Sequence, residues 1–561
     1  MNDNLAETDS LIDRKTRERL GEFYTPLCIV DKTYSYLDST IGSSWQEDYI
    51  LWDMCGGVGN LELRHANKKN VFISTIKQQD IDAMKQSGSF ADATLFQYDY
   101  LNDDIADDGT IDYGLTGKVP PALRDSIEKR KKILVLINPP YAEAGSGLGK
   151  ESKGGVAKSK VATHLMRQAY GKATNELVTQ FIARIAVEMP HAVLAMFSKL
   201  KYVNAPNFEK FREAWCATYK AGFVVQSQAF DGMKGNFPIG FLIWQTQNPV
   251  TQHSTAQHTA QPLPLSQTLT TLSVEVFKKD KDEHKRLKIT PVGEKTFYNL
   301  PANTYLNKWI ERPKTNKDKV IPLKNAIRPA TDKICLNTWS DGALGYLLNN
   351  ANDLQNVPQA TALFSSLCRI GHKAGFYVTE KNLNQAAVVF AVRRLIKATW
   401  LNDRDQFLQP TETLTEAFKT ECLIWMLFNG SNLTASADGL NWSGKNWTIV
   451  NHFIPFTEEQ VEASGRFESD FMVKYLKGKK ISVEAKAVMD EGLALWKAYF
   501  RGVDTDEIRS KYRLTRPDVG WYQVRKALLA RKTDFAPFKA SYKVLSDKLA
   551  PMVYDLGFLK P

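Results

Sequence analysis

The chain has 561 residues, 43% of them apolar and 24% charged, with a formal net charge of +11. That length exceeds one compact domain and implies two or three, each with enough apolar material for a core. No apolar run approaches the ~20 residues that span a bilayer, and the six cysteines include no C-x-x-C pair, which argues against a membrane protein, a disulfide frame or a zinc site. Reduced thiols in a cytoplasmic protein are expected, with no metal, and the excess of positive charge suits a polyanionic partner.

Residues 1–20 are polar, lack a signal-peptide core and are expected to be flexible. Gly21-Glu22-Phe23-Tyr24-Thr25-Pro26 reads as a compact aromatic and proline turn ahead of a helix. From there to 246, strands alternate with helices, which predicts an α/β layer on a mostly parallel sheet. The strands are read at Tyr49–Trp52, Val71–Ser74, Lys132–Ile137 and Ala192–Phe197. Phe223–Phe230 and Ile239–Thr246 flank a Gly/Asn/Pro turn and predict a closing antiparallel hairpin.

The first strand runs into Asp53-Met54-Cys55-Gly56-Gly57-Val58-Gly59-Asn60, whose glycines let backbone approach a ligand closely. A dinucleotide fingerprint would need glycine where Glu62 stands, so an NAD site is disfavoured. Asp80, with Asp82 as the alternative, lies where a carboxylate can accept from ribose hydroxyls. Asp99 follows the segment Ala93–Tyr98 and is placed to accept from an adenine amino group. Either aspartate would serve equally well as a helix cap or turn residue.

The apolar strand at 134–137 ends in Asn138-Pro139-Pro140-Tyr141. This tetrad suits alkylation of a planar amino or amide nitrogen, whose lone pair is delocalised. The Asn138 side-chain oxygen and the Pro139 carbonyl supply acceptors for its hydrogens. The prolines fix their own φ and hold the preceding residues extended, and Tyr141 offers a ring on which a planar group stacks. A strand ending in a Pro-Pro turn is the plainer interpretation.

Residues 142–160 are rich in Gly, Ser and Lys and predict a mobile loop, with Lys150, Lys153, Lys158 and Lys160 available to phosphates. Gly145 to Glu151 fails as a phosphate loop, because Ala144 and Glu151 occupy its required Gly and Ser/Thr positions. Residues 247–267 read as a linker or long loop, and 268–561 as a further, mainly helical region. Within it Lys278–Lys288 is a solvated hairpin tip, and Asn384–Trp400 a helix with Arg393, Arg394 and Lys397 as basic candidates. Arg509–Arg516 is another basic stretch, and Trp442 and Trp447 flank a loop. Asp470 with Glu484-Ala485-Lys486 is spaced like a metal-nuclease set, but Ser482 looks like an N-cap and the following apolar spacing is helical.

Phe23-Tyr24-Thr25-Pro26, Asp53 with Gly57 and Gly59, Asp80, Asp99 and the tetrad, in that order, resemble the DNA amino-methyltransferases that modify N6 of adenine, in their gamma arrangement. Asn175–Phe181, Ser198–Tyr202 and Gly235–Phe241 are similar to further elements of that family. The resemblance covers 20–246, although Met54-Cys55 departs from the usual start of the glycine loop. It implies a Rossmann-like domain over 21–246 that binds S-adenosylmethionine through Phe23, Tyr24, Thr25, Pro26, Asp53, Gly57, Gly59, Asp80 and Asp99. Double-stranded DNA would be the partner, with a flipped adenine stacked between Tyr141 and Phe237 and target recognition in 268–561. A separate cognate restriction endonuclease is a further implied partner. Methylation of RNA or of a protein glutamine, the methyltransferase part of a restriction-modification enzyme, or a catalytically silent DNA-binding protein, are the alternatives.

Overall fold

The computed structural model describes residues 24–141, 158–166, 169–230, 233, 235–247, 263–316, 323–325, 328–329, 339–349, 352–354, 361–366, 375–442, 444–512 and 514–561. Phe23 and the loop residues 142–157, with Lys150 and Lys153, lie outside them. The chain divides into two compact units, Met1–Leu300 with Thr399–Leu401, and Pro301–Ala398 with Asn402–Pro561.

In the first unit the helix α1 (Leu27–Ile41) precedes β1 (Ile50–Asp53), β2 (Val71–Thr75), α2 (Gln78–Ser87) and β3 (Thr94–Gln97). There follow α3 (Pro121–Glu128), β4 (Ile133–Ile137), α4 (Leu177–Glu188), β5 (Val193–Lys199), β6 (Ala217–Gln226) and β7 (Pro238–Thr246). One sheet runs in the order β3-β2-β1-β4-β5-β7-β6 and is extended by β8 (Thr271–Lys281) and β9 (Leu287–Tyr298). β1 to β5 run parallel to one another, and β7 enters antiparallel between β5 and β6. This is the Rossmann-like α/β layer with a closing hairpin that the sequence predicts.

The strands form because their residues are buried on both faces, which favours near-continuous apolar runs. Alternation sends Leu134, Leu136, Val71 and Ile73 to one side, packed with Ile29, Val30 and Leu37 of α1 and Ile81 and Met84 of α2. Val135, Ile137, Trp52 and Phe72 go to the other, with Leu123 of α3 and Phe181, Ile182 and Ile185 of α4. The sheet continues past the expected boundary at 246: β8 pairs in parallel with β6, and β9 returns antiparallel along β8. Segment 271–298 therefore belongs to the first unit, because the low-complexity stretch before it joins two strands of one sheet.

The second unit is mainly helical. Its core is built by α5 (Leu383–Leu395), α6 (Glu416–Leu427), α7 (Val483–Gly502), α8 (Trp521–Ala530) and α9 (Ala536–Asp555). A three-stranded antiparallel sheet, with Ala343–Asn349 between Thr361–Phe364 and Phe376–Thr379, packs beside them. Ser482 caps α7, its Oγ accepting from the Ala485 amide at 3.3 Å, so Glu484 and Lys486 are helical.

Of the basic candidates here Lys397 is exposed, whereas the arginines are engaged within the fold. Arg393 is fully buried, its Nε donating to Thr361 Oγ1, and Arg394 donates to Asn429 Oδ1 and the Thr361 carbonyl. Arg509 and Arg516 are bonded to Asp504, Asp518, Asp438 and Glu468. A charged residue on a helical pattern says nothing about which way the helix turns it, and packing decided the matter.

Candidate active site

A cavity of about 380 Å³ opens at the carboxyl ends of β1 to β4. It spans the point where the strand order reverses between β1 and β4, the place where open α/β sheets bind ligands. Tyr24, Thr25, Asp53, Gly57, Asp80, Asp99, Asn138 and Pro140 all line it. Eight residues proposed from sequence, drawn from five separate segments, thus converge on one space.

Each wall has a local cause. Pro26, with φ −63°, is the N-cap residue of α1, and its carbonyl accepts from the Ile29 and Val30 amides at 2.9 and 3.1 Å. That turn sets Thr25 and Tyr24 against the glycine loop, where the Tyr24 ring covers Gly57. Gly57 has φ +53°, and a Cβ there would meet the tyrosine ring at 3.1 Å, so glycine is the fitting residue. Gly59 does not line the cavity. Its role is packing: at φ +82° a Cβ would overlap the Phe90 ring at 2.5 Å.

Asp53 ends β1 wholly buried and accepts from the Cys55 amide at 2.8 Å. Burial is the main reason that its carboxyl is held above the usual range. Asp80 lies in the first turn of α2, where a carboxylate is favoured by the helix dipole, and accepts from Thr75 Oγ1 at 3.2 Å. Asp82 is exposed and bonded by Gln78 Nε2 at 2.9 Å. Of the two aspartates, Asp80 is the one that lines the cavity.

Asp99 shapes its own loop, its oxygens accepting from the Leu101 amide at 3.1 Å and Asn102 Nδ2 at 2.8 Å. Beneath that loop Arg184 of α4, fully buried, donates to the Asp103 carbonyl at 2.8 Å and also to the Tyr100 carbonyl. Its guanidinium stacks over the Tyr100 ring at 4.3 Å. Both Tyr100 and Tyr113 hydroxyls donate to Glu188, at 2.5 and 2.7 Å. Sequence reasoning missed this clamp. The i, i+4 spacing of Arg184 and Glu188 was the available signal.

In the tetrad, Asn138 Nδ2 donates to Thr25 Oγ1 at 3.0 Å, and the Tyr141 hydroxyl donates to Asn138 Oδ1 at 2.6 Å. Pro139 is buried and does not line the cavity. Tyr141 is only 7% exposed and lines a second void of about 10 Å³ with Pro140, Glu176, Lys199 and Lys201. That space has room for about one water and is too small for a base. Lys199 Nζ donates to the Tyr141 carbonyl at 3.3 Å and lies 5.3 Å from the centroid of the Phe237 ring, so one lysine links the two expected stacking residues. Lys160 donates through its amide to Asn102 Oδ1 at 2.9 Å, and through Nζ to the Ile105 carbonyl at 3.4 Å.

Further lining residues not singled out from sequence are Cys55, Asn60, Thr75, Lys77, Tyr100, Asn102 and Ser159. Leu177 and Phe181, in the segment marked by resemblance, supply an apolar wall. Among the described residues no group of three or more His, Cys, Asp or Glu could hold a metal ion, and no helix is long and apolar enough to cross a membrane.

No family model matches the chain, and no curated protein matches it. Among solved structures it is similar to a protein from Listeria monocytogenes described as a class I S-adenosylmethionine-dependent methyltransferase, at 12% identity and TM-score 0.26, covering 43% of this chain and 64% of that one. A second is the type I restriction enzyme EcoKI M protein, at 11% identity and TM-score 0.29, covering 47% and 51%. A third is the ATP-dependent type ISP restriction-modification enzyme LlaBIII bound to DNA, at 10% identity and TM-score 0.36, covering 63% and 27%. In each case the chain spans less than two-thirds of the other protein's length.

Proposed function

We propose that this chain is an S-adenosylmethionine-dependent methyltransferase that modifies N6 of adenine in DNA. The observation that carries this reading is the convergence of Asp53, Asp80, Asp99 and Asn138 on one cavity at the strand ends. Its size falls in the range of small-molecule sites. Three carboxylates spaced along it suit a ligand with an ammonium group, a ribose diol and an adenine amino group, and Leu177 and Phe181 suit the flat face of its base. Bound S-adenosylmethionine would supply an electrophilic methyl on a sulfonium centre.

The chain's own residues then orient and polarise. Asp53 takes the amino group, Asp80 the ribose hydroxyls and Asp99 the adenine amino group. Target adenine is flipped out of its duplex at a cost of a few kcal/mol. It enters on the Tyr141 side of Asn138, between Tyr141 and Phe237. Asn138 Oδ1 and the Pro139 carbonyl accept from N6, concentrating its lone pair toward the methyl. No strong base is required, because N6 becomes acidic only as the new bond forms; orientation and fixed dipoles do the catalysis. The second void is closed around Tyr141, so entry of a base requires this side to open. The second unit is proposed to carry target recognition, and a separate endonuclease is the proposed partner.

The test is transfer of labelled methyl from S-adenosylmethionine to unmethylated DNA, RNA or protein. Transfer to DNA, reduced by roughly 10²-fold or more in Asn138→Ala with an unchanged circular-dichroism spectrum, is expected from loss of one oriented acceptor. Transfer to RNA or protein alone would overturn the reading.

A further inference from the structure

Behind Asp53, away from the cavity, lies Glu62, whose side chain is fully buried. Neither of its carboxyl oxygens has a hydrogen-bond partner among the described residues. The titratable groups facing it are Tyr34 from α1, Asp53 and Cys55 from the end of β1, and Lys68 from the turn before β2. Three of these are otherwise engaged. Lys68 Nζ donates to the carbonyls of Glu62, Leu63 and His65, at 2.9, 3.2 and 2.6 Å. The Tyr34 hydroxyl donates to the Leu61 carbonyl at 2.9 Å, and Cys55 is engaged with Asp53, its amide donating to Oδ1 and its thiol bonded to the same carboxyl. What remains is carboxyl against carboxyl. Two carboxylates offer only acceptors, so their contact is satisfied only when one of them holds a proton.

We propose that Glu62 is a positioning residue for the ligand's amine: it stays a neutral acid, donates its proton to Asp53, and leaves the buried pair with one negative charge directed into the cavity. The proposal rests on the cavity being an S-adenosylmethionine site. Glu62 is the member that keeps the proton, because burial first and the Asp53 charge second raise its carboxyl well above the ordinary range. Asp53, also raised by burial, lies at about 7. An ammonium group placed opposite Asp53 lowers that value, so binding near neutral pH expels a proton. Affinity therefore rises with pH through about 7 and levels off above it, where the ligand's α-amine, beside its own carboxylate, is still charged.

The experiment is calorimetric titration of the full chain with S-adenosylhomocysteine, which keeps the same amine, between about pH 6 and pH 8. Two buffers of different ionisation enthalpy count the protons. Wild-type protein is expected to release a fraction of a proton near pH 7. Glu62→Gln, whose amide still donates, is expected to bind within about threefold of wild type, whereas Glu62→Leu loses roughly tenfold, the size of one charge-assisted hydrogen bond. Infrared spectroscopy of the ligand complex at about pH 8, where Asp53 is ionised, is expected to show a protonated carboxyl stretch that disappears in Glu62→Gln. If Glu62→Leu does not fold, the wild-type proton count and this stretch decide. Binding with no proton release and no such stretch would overturn the role of Glu62 alone. Absence of binding at every pH would overturn the cofactor reading and this proposal together.

Discussion

The Tyr141 hydroxyl donates to Oδ1 of Asn138 at 2.6 Å, so the last residue of the tetrad is tied to the first. The same amide donates to Thr25 Oγ1 at 3.0 Å, which fixes its plane at both ends. A carbonyl oxygen has two lone-pair directions, and the tyrosine uses one of them. The proposed adenine amino group needs another. Tyr141→Phe removes the tie but keeps the ring, and is expected to leave methyl transfer within about threefold of wild type. Tyr141→Ala removes the stacking surface and is expected to cost ~1–3 kcal/mol, roughly five- to 150-fold in transfer. Single-turnover transfer, with 2-aminopurine fluorescence at the target base, separates the two. Equal damage in both variants would assign the role to the hydroxyl and refute stacking.

Asp80 and Asp82 differ by two residues in sequence and by everything in environment. Asp80 is 4% exposed, faces the cavity and is held by Thr75; Asp82 is on the outer face of α2. Asp80→Ala is expected to weaken S-adenosylhomocysteine binding on the order of tenfold, the loss of one charge-assisted pair of ribose contacts. Asp82→Ala is expected to change it by less than twofold. The measurement is equilibrium binding by tryptophan fluorescence, and a reversed order would move the ribose site elsewhere.

That pair also marks how far the sequence could be read. β1, β2, β4 and β5 were legible because strands buried on both faces must be apolar almost throughout, and Asp53 and Asn138 because each interrupts such a run at its end. The turn through Ile76 and Lys77 hid which aspartate points inward, since spacing alone does not fix the phase of α2. The inward turn of Arg393 is hidden for the same reason. Its helix is buried nearly all round, and only tertiary packing shows that. The β8–β9 hairpin was assigned beyond a boundary because sheet pairing between β6 and β8 is a long-range contact with no local signature.

Arg184 is the principal support under the Asp99 loop. It has no exposed surface, donates to two main-chain carbonyls and to the Tyr98 hydroxyl, and lies 3.3 Å from Glu188. Arg184→Met fills similar volume but leaves Glu188 buried without its cation. Breaking such a pair costs ~3–5 kcal/mol, and a clear fall in the thermal midpoint is expected. Replacing both, as Arg184→Met with Glu188→Gln, is expected to recover part of that loss. A double variant no more stable than the single one would show that the bonds to the loop carbonyls, not the ion pair, dominate.

His65 closes the glycine loop on the side away from the cavity. It is 3% exposed, meets the Trp45 ring edge-on at 5.2 Å, and its ring nitrogens find no hydrogen-bond partner among the described residues. Burial, and then the neighbouring Lys68 charge, lower its pKa from 6.5 to about 4. Between those values the unfolded chain binds a proton that the folded chain refuses. Stability from this residue is therefore complete above pH 6.5, declines as pH falls below it, and stops declining near pH 4, where the folded form also takes the proton. The full loss is on the order of 3 kcal/mol. His65→Phe cannot titrate, so its stability relative to wild type is expected to rise by that amount as the pH is lowered through this window. Urea midpoints of the two proteins across the window measure the difference, in which the titration of carboxylates common to both cancels. Parallel curves would show that the ring gains a partner in solution and is not buried neutral.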